Sequence, residues 1–500
     1  MTLLRPLTRV RILLLAIVLT LSSVWSYSRY PSSSSGLSRT PFASTNDLAQ
    51  KQALAGHIQV WSQLQPVLLT SMPNCNPPVR LGNAPSIRVE ESDPDTRPEM
   101  LDMLPEEVEE MKNAHTKFLD AVRMNAVRLH YVPDTRGIIS TAGGSHLPVL
   151  AISLRMLRRT GSELPVEVFL ANDEEYEPLI CDVVFPSLNA QCVVLSHIFD
   201  AAPKVMEIEK YQFKLFAMLF SSFEEILFLD ADAFPLLQPE SLFTNEPFKS
   251  RGMVTWPDFW ASTVSSYYYE IASQPPPEPG TRPRQSTESG EILISKRTHA
   301  KTLLLSTYYN LWGPNYYYPL LSQGAAGEGD KETFVAAALA VNEPYYQVTE
   351  DIVAMGHSTA GGLAGSAMVQ FDPAEDYALH KDKEQNLPPN LAGPKSSGSE
   401  TPRPFFIHAN FPKFDPATVF EPHEVNPAFA DDGTYTRAWT IPQNVIENFG
   451  ADVEKRYWSE ILWTACELEG KFRSWSEKKG ICSGVRTYWN TVFADNQGVI

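Results

Sequence analysis

Ile226-Leu227-Phe228-Leu229-Asp230-Ala231-Asp232-Ala233-Phe234-Pro235 is the stretch that decides how this chain is read. Its apolar run is continuous rather than alternating, the pattern of a strand covered on both faces. Two carboxylates follow the run directly. Open parallel sheets gather ligands at the carboxyl ends of their strands. Residues two apart in an extended segment project to the same side. Asp230 and Asp232 thus make a pair of hard oxygen ligands for Mn²⁺ or Mg²⁺, with positions left for diphosphate oxygens. An Asp-x-Asp triplet by itself is common in solvated loops. Two carboxylates set against a buried strand are costly without a cation, which favours the metal reading here.

Working outward, the pattern repeats. Gly137-Ile138-Ile139 is a short apolar strand candidate. Leu147, Leu150, Ala151, Leu154 and Leu157 follow at helical spacing, with Arg155, Arg158 and Arg159 near the helix end and Gly161 beyond it. Val166–Leu170 and Cys192–Leu195 read as strands, and Phe213, Phe216, Ala217 and Phe220 mark a helix. Strands alternating with helices predict an α/β fold built on a parallel sheet. Further on, Gly252–Trp256 and Ile292–Ser295 read as strands, and Thr298–Asn310 and Lys331–Val341 as helices. Gln274–Glu288 and Asp382–Pro404 are Pro-rich and low in apolar content, and read as flexible loops.

The chain has 500 residues and a formal net charge of -18, which excludes a phosphate-backbone binder of the usual basic kind. Arg5, Arg9 and Arg11 precede the apolar run Ile12–Trp25. Basic residues before an apolar stretch predict a cytosolic tail at 1–11 and a signal-anchor at 12–27, near the lower limit of roughly 17–25 residues for a span. A cleaved signal peptide is the competing reading. Residues 28–95, rich in Ser and Pro with one amphipathic patch near Leu48–Leu69, read as a stem, and 96–500 as the lumenal domain. The five cysteines show no CxxC or Cys/His cluster, which argues against zinc. Cys181 with Cys192, and Cys466 with Cys482, are spaced to close loops in an oxidising compartment or to remain buried thiols.

Several other segments carry two readings each. Ser140-Thr141-Ala142-Gly143-Gly144 links a strand to a helix, as a tight turn or as a nucleotide cradle of backbone N–H groups. It is not GxGxxG. Asp330 and Glu332 open a helix, where acidic residues are ordinary capping chemistry. Glu288-Ser289-Gly290-Glu291 reads as a turn before a strand. His408 ends the apolar run Phe405-Phe406-Ile407, as a structural histidine or a metal ligand. The aromatic cluster around Trp256 and Tyr268 reads mainly as core.

The Asp230–Asp232 segment is similar to the DxD segment of GT-A glycosyltransferases. The stretch from Gly137-Ile138-Ile139-Ser140-Thr141-Ala142-Gly143-Gly144 through LPVLAISLRMLRRTGSELPVEVFL resembles the fungal Golgi mannosyltransferases that branch and extend mannan, over roughly residues 115 to 440. That resemblance implies a GT-A, Rossmann-like mixed sheet flanked by helices. It implies a type II Golgi membrane enzyme transferring mannose from GDP-mannose, with retention, to a mannose-terminated glycan, with α-1,2 favoured over α-1,3 linkage. Complexes with other Golgi transferases are compatible with it. It places Asp230, Asp232 and His408 at a Mn²⁺ or Mg²⁺ site and Thr141, Gly143, Gly144, Lys214, Ser289, Gly290 and Lys413 around the donor. Asp330 or Glu332 then lies near the transferred sugar, where a carboxylate stabilises an oxocarbenium-like state or acts as nucleophile. A UDP-sugar donor, or a lectin-like lumenal protein without turnover, are the alternatives.

Overall fold

The computed structural model describes residues 46–203, 208–384 and 401–494. The chain divides into two units, Met1–Gln52 and Ala53–Ile500. The anchor expected over 12–27 lies outside the described residues. Among the described residues, no helix is long and apolar enough to cross a membrane.

The larger unit is built on a seven-stranded mixed sheet. Its strands are β1 (Val132–Thr141), β2 (Val166–Leu170), β3 (Ala190–Val194), β4 (Phe223–Leu229), β6 (Met253–Ala261), β7 (Gln285–Ser295) and β8 (Tyr346–Gln347). The order is β8-β6-β7-β4-β1-β2-β3. Strands β4, β1, β2 and β3 run parallel, whereas β7 lies antiparallel between β4 and β6. A second, four-stranded sheet combines β5 (Ala233–Pro235) with β9 (Val353–Thr359), β10 (Gly362–Phe371) and β11 (Pro404–His408), all antiparallel.

Successive side chains of a strand point to opposite faces. On β4, Leu227 and Leu229 enter one core, with Leu150 and Leu154 of α3 (His146–Arg159). Ile226 and Phe228 enter the other, with Phe118 of α2 (Pro105–Arg123), Leu215 of α4 (Gln212–Leu219), Leu304 of α5 (Ala300–Leu311) and Phe334 of α6 (Thr333–Val341). Both faces are covered, as the unbroken apolar run predicts. Gly161 follows α3 with φ 85°, the left-handed geometry that ends helices.

Helix α1 (Asn46–Thr70) coincides with the apolar patch, Leu48–Leu69, inside the segment read as stem. Its Trp61 ring lies edge-on to Phe199 at 5.2 Å and to Phe216 at 5.7 Å, and is 1% exposed. Residues 53–95, read as stem, therefore belong to the folded unit, because an apolar stripe (Val60, Trp61, Leu64, Leu68) covers the helical face of the sheet. The expected loop over 274–288 also ends early. Strand β7 starts at Gln285, so Glu288-Ser289-Gly290-Glu291 is strand and not turn. Helical residues extend through Glu384, and 385–400 lie outside the described residues.

Two disulfides, Cys181–Cys192 and Cys466–Cys482, settle the open cysteine question, with Cys75 free. The second joins α7 (Val453–Leu468) to α8 (Ile481–Val492), whose Trp458 and Tyr488 rings lie tilted against each other at 4.0 Å.

Candidate active site

The turn Asp230-Ala231-Asp232 is where the chain leaves one sheet and enters the other. Backbone bonds fix it on every side. Asp230 N–H donates to Gly290 O at 2.8 Å, and Ala233 N–H to Asp230 O at 3.0 Å. Ala409 N–H donates to Asp232 O at 2.9 Å. From α3, the Ser153 hydroxyl donates to Ala231 O at 2.8 Å. The two carboxylates are thus held by β4, β7, β11 and α3 together.

Cationic groups close in on them. Lys214 of α4 is buried and lies 3.4 Å from Asp230 and 3.2 Å from Asp330, while its Nζ donates to Ser289 O at 2.8 Å and Ser289 Oγ at 3.0 Å. Burial works against its charge, but Asp230, Asp330 and Glu288 hold its pKa above the usual lysine value. Asp232 is 2% exposed, lies 3.2 Å from His408 Nε2 and is bonded to the Lys413 ammonium. Burial opposes its charge, yet His408 and Lys413 keep it below the usual carboxylate range. Burial likewise disfavours the His408 imidazolium, which Asp232 and Glu288 nonetheless hold well above the usual histidine value.

The site residues expected from sequence divide into two groups. Asp230, Asp232, Lys214, Ser289, Gly290, Asp330, His408 and Lys413 converge. Thr141 ends β1, beside β4, whereas Gly143 and Gly144 lie against other neighbours: a Cβ at Gly143 would meet the Glu175 carboxylate at 2.3 Å, and Gly144 has φ 52° with open space around it. That loop is a conformational necessity before α3 first of all.

Asp330 and Glu332 also part ways. Asp330 pairs through Oδ2 with Lys214 alone, and burial raises its pKa against the pull of Lys214. Glu332 is 1% exposed, ion-paired with Arg284, and accepts Thr287 N–H at 2.8 Å. It ties α6 to β7, so of the two it is Asp330 that remains available to a ligand.

Sequence reasoning missed two carboxylates, Glu288 and Glu291. Ligand atoms of Glu288, Glu291 and His408 lie within 4.8 Å of one another, a grouping able to hold a metal ion. Glu291 is fully buried, and burial with the adjacent Glu288 pushes its pKa well up. The signal was present: acidic residues beside and within an apolar strand, opposite the end of β4, are costly unless used.

An α/β protein with an acidic, lysine-ringed centre at its strand ends is the class this geometry defines. The family model described as "Mannosyltransferase putative" matches residues 135–279 and 279–372. Alpha-1,2-mannosyltransferase MNN2 of Saccharomyces cerevisiae (strain ATCC 204508 / S288c) is 32% identical, with 71% of this chain and 68% of that protein covered. Alpha-1,2-mannosyltransferase MNN21 of Candida albicans (strain SC5314 / ATCC MYA-2876) is 34% identical, with 74% and 63% covered. The chain belongs to this fungal mannosyltransferase family. It spans 63% of the length of MNN21 and 59% of MNN24 from the same organism. Among solved structures, the galactosyltransferase LgtC overlaps at TM-score 0.28 and 12% identity, over 42% of this chain and 72% of that one. The glycosyltransferase GlyE of Streptococcus pneumoniae TIGR4 overlaps at TM-score 0.28 and 10% identity, over 43% and 45%.

Proposed function

We propose that this chain is a GT-A type, metal-dependent, retaining mannosyltransferase that moves mannose from GDP-mannose onto a mannose-terminated glycan in α-1,2 linkage. The observation that carries this reading is the convergence of Asp230, Asp232, His408, Lys214, Asp330 and Lys413 at one sheet junction. The α-1,2-mannosyltransferase names of its relatives support the sugar and the linkage. A Golgi membrane location with an N-terminal anchor belongs to the same proposal, from the basic and apolar pattern of residues 5–25.

The residues fit a divalent cation: two carboxylates of one turn and a buried imidazole whose Nε2 lies 3.2 Å from Asp232 make a hard-to-borderline donor set. Asp230, Asp232 and His408 would hold it. When bound, such an ion neutralises charge on a diphosphate leaving group.

The chain's own groups do the rest. Lys413 presents an ammonium beside Asp232, where it stabilises a departing diphosphate. Lys214 orients Asp230 and Asp330 and cross-links them to Ser289. Asp330 is the carboxylate left facing the reacting sugar, where negative charge stabilises an oxocarbenium-like state. Burial of Asp232, His408, Lys214 and Asp330 strengthens the interactions among them, while Asp230 and Lys413 keep partial exposure on the side open to a donor.

The test is donor turnover by the full chain with GDP-mannose, UDP-galactose or UDP-glucose against α-mannobiose, with Mn²⁺ or EDTA. Mn²⁺-dependent transfer from GDP-mannose, giving a product cleaved by α-1,2-mannosidase, is expected. Turnover of a UDP-sugar alone overturns the donor. Sugar binding without turnover of any donor favours a lectin-like role.

A further inference from the structure

Each Asp carboxylate of the 230–232 turn already has a cationic partner in this protein. Asp230 faces Lys214, and Asp232 is bonded to Lys413 and His408 Nε2. The partnerless ligand atoms lie one step away, on β7 and on the other edge of the same imidazole. Neither Oε1 nor Oε2 of Glu291 has a hydrogen-bond partner, although the residue is 0% exposed. His408 Nδ1 also lacks a hydrogen bond, and sits 3.5 Å from Glu288 Oε1. Two carboxylates and an imidazole nitrogen thus face one another with all ligand atoms inside 4.8 Å.

Native proteins leave few buried polar atoms unsatisfied, and a fully buried carboxylate with neither oxygen bonded is among the costliest. Carboxylates accept and do not donate, so Glu288 and Glu291 cannot satisfy each other while both are charged. A proton on Glu291, which burial beside Glu288 favours in the metal-free protein, is one resolution, and a divalent cation that displaces it is the other. The backbone keeps the space: a Cβ on Gly290 would stand 2.6 Å from His408 Nδ1 and 2.9 Å from Glu288 Oε2. Gly290 also accepts the Asp230 N–H, which locks this cluster to the Asp turn.

We propose that Glu288, Glu291 and His408 Nδ1 form a divalent-cation seat of their own on β7, adjoining the Asp230–Asp232 turn, for a borderline ion of the Mn²⁺ kind. The proposal rests on the reading of the centre as cation-dependent, but concerns ligands that the Asp-x-Asp motif does not supply. An oxygen-rich set with one imidazole suits Mn²⁺ over softer ions.

The test uses the full chain stripped with EDTA, with no donor present. Mn²⁺ is added, binding is followed by the EPR signal of the free ion, and the melting temperature is read in parallel. Wild type is expected to bind Mn²⁺ and melt higher with it. Glu291→Gln, nearly isosteric and relieved of a buried charge, is expected to melt no lower than metal-free wild type. It is also expected to lose the Mn²⁺-induced rise and to weaken binding at least about tenfold. Glu288→Gln should lose the rise in the same way. Wild-type affinity and a full rise in both variants, with loss in Asp232→Asn instead, overturn the β7 seat and leave the Asp-turn reading standing. No binding to wild type overturns both.

Discussion

Gly290→Ala is the most informative single change, because one methyl group tests the whole junction. The added Cβ would lie 2.6 Å from both Cε1 and Nδ1 of His408. Carbon atoms pack best at about 3.5–4.0 Å, so the imidazole must retreat by about 1 Å. It has little room: His408 is 5% exposed, in a strand paired with β5 and β10. Overpacking of a rigid core costs about 1–3 kcal/mol. A misplacement of about 1 Å in a catalytic group can cost about 10²-fold in rate. The variant is therefore expected to fold with a lower melting temperature, and to lose about 10²-fold in turnover and most of its Mn²⁺ response. Gly365→Ala on β10 is the matched control, since its Cβ would meet only Leu363, at an ordinary 3.7 Å. The assays are thermal melting, Mn²⁺ titration and donor turnover on both variants. A Gly290→Ala protein that melts, binds and turns over like Gly365→Ala would refute the packing of His408 on β7.

The remaining expectations separate structural from chemical roles. Glu332→Gln removes one partner of a buried ion pair with Arg284 and should cost about 3–5 kcal/mol in a denaturant melt. Asp330→Asn leaves Lys214 paired with Asp230, so it should lose less stability than Glu332→Gln yet lose turnover, which parallel melts and steady-state kinetics will show. Glu454, nearly buried on α7, has its pKa raised by burial to about 7, against the pull of Arg437. A folded-state pKa above the unfolded value near 4.5 means the native state holds the extra proton. Its contribution is therefore full below about pH 4.5 and lost as pH rises toward 7. At about 1.4 kcal/mol per pH unit this amounts to about 3 kcal/mol. The stability of wild type relative to Glu454→Gln should fall by that order between pH 4.5 and 7 in parallel melts. Asp232→Asn should abolish transfer with the fold intact by circular dichroism.

Much of the scaffold is legible in the sequence because periodicity and burial coincide there. Ile226–Leu229 has no polar alternation, and both faces of β4 are covered. Val166–Leu170 and the helix bounded by Gly161 emerge where the pattern places them. The misreadings share one cause, the override of local composition by tertiary contacts. The apolar patch Leu48–Leu69 is visible within a Ser/Pro-rich neighbourhood, but nothing in it shows that Trp61 packs against Phe199 and Phe216 of distant segments. Glu288–Glu291 reads as a turn because strands avoid Glu and Gly. It is a strand because β4 and β6 pair with it on either side, and Gly290 is there because His408 lies on it. Sequence spacing can bring Asp230 to Asp232, but it cannot bring His408 to Glu288. That contact depends on the second sheet folding back through β11.

The charge balance of the centre shows why these distant carboxylates matter. Asp230, Asp232, Glu288, Glu291 and Asp330 are five acidic groups, against Lys214, Lys413 and at most one charge on His408. With all five ionised, five minus three would leave a surplus of two negative charges in a largely buried space, a strain that the raised pKa values of Glu291 and Asp330 reflect. A diphosphate donor brings more charge of the same sign and would be repelled by such a centre. A divalent cation cancels the surplus before the donor arrives, leaving Lys413 and Lys214 to act on the incoming phosphate and sugar. Cation first and donor second is then the binding order that electrostatics favours. Donor affinity measured by calorimetry should fall steeply when Mn²⁺ is withheld, whereas Mn²⁺ affinity should persist without donor. Tight GDP-mannose binding to the EDTA-stripped chain would show that the surplus is neutralised in some other way, by protons on Glu291 and Asp330.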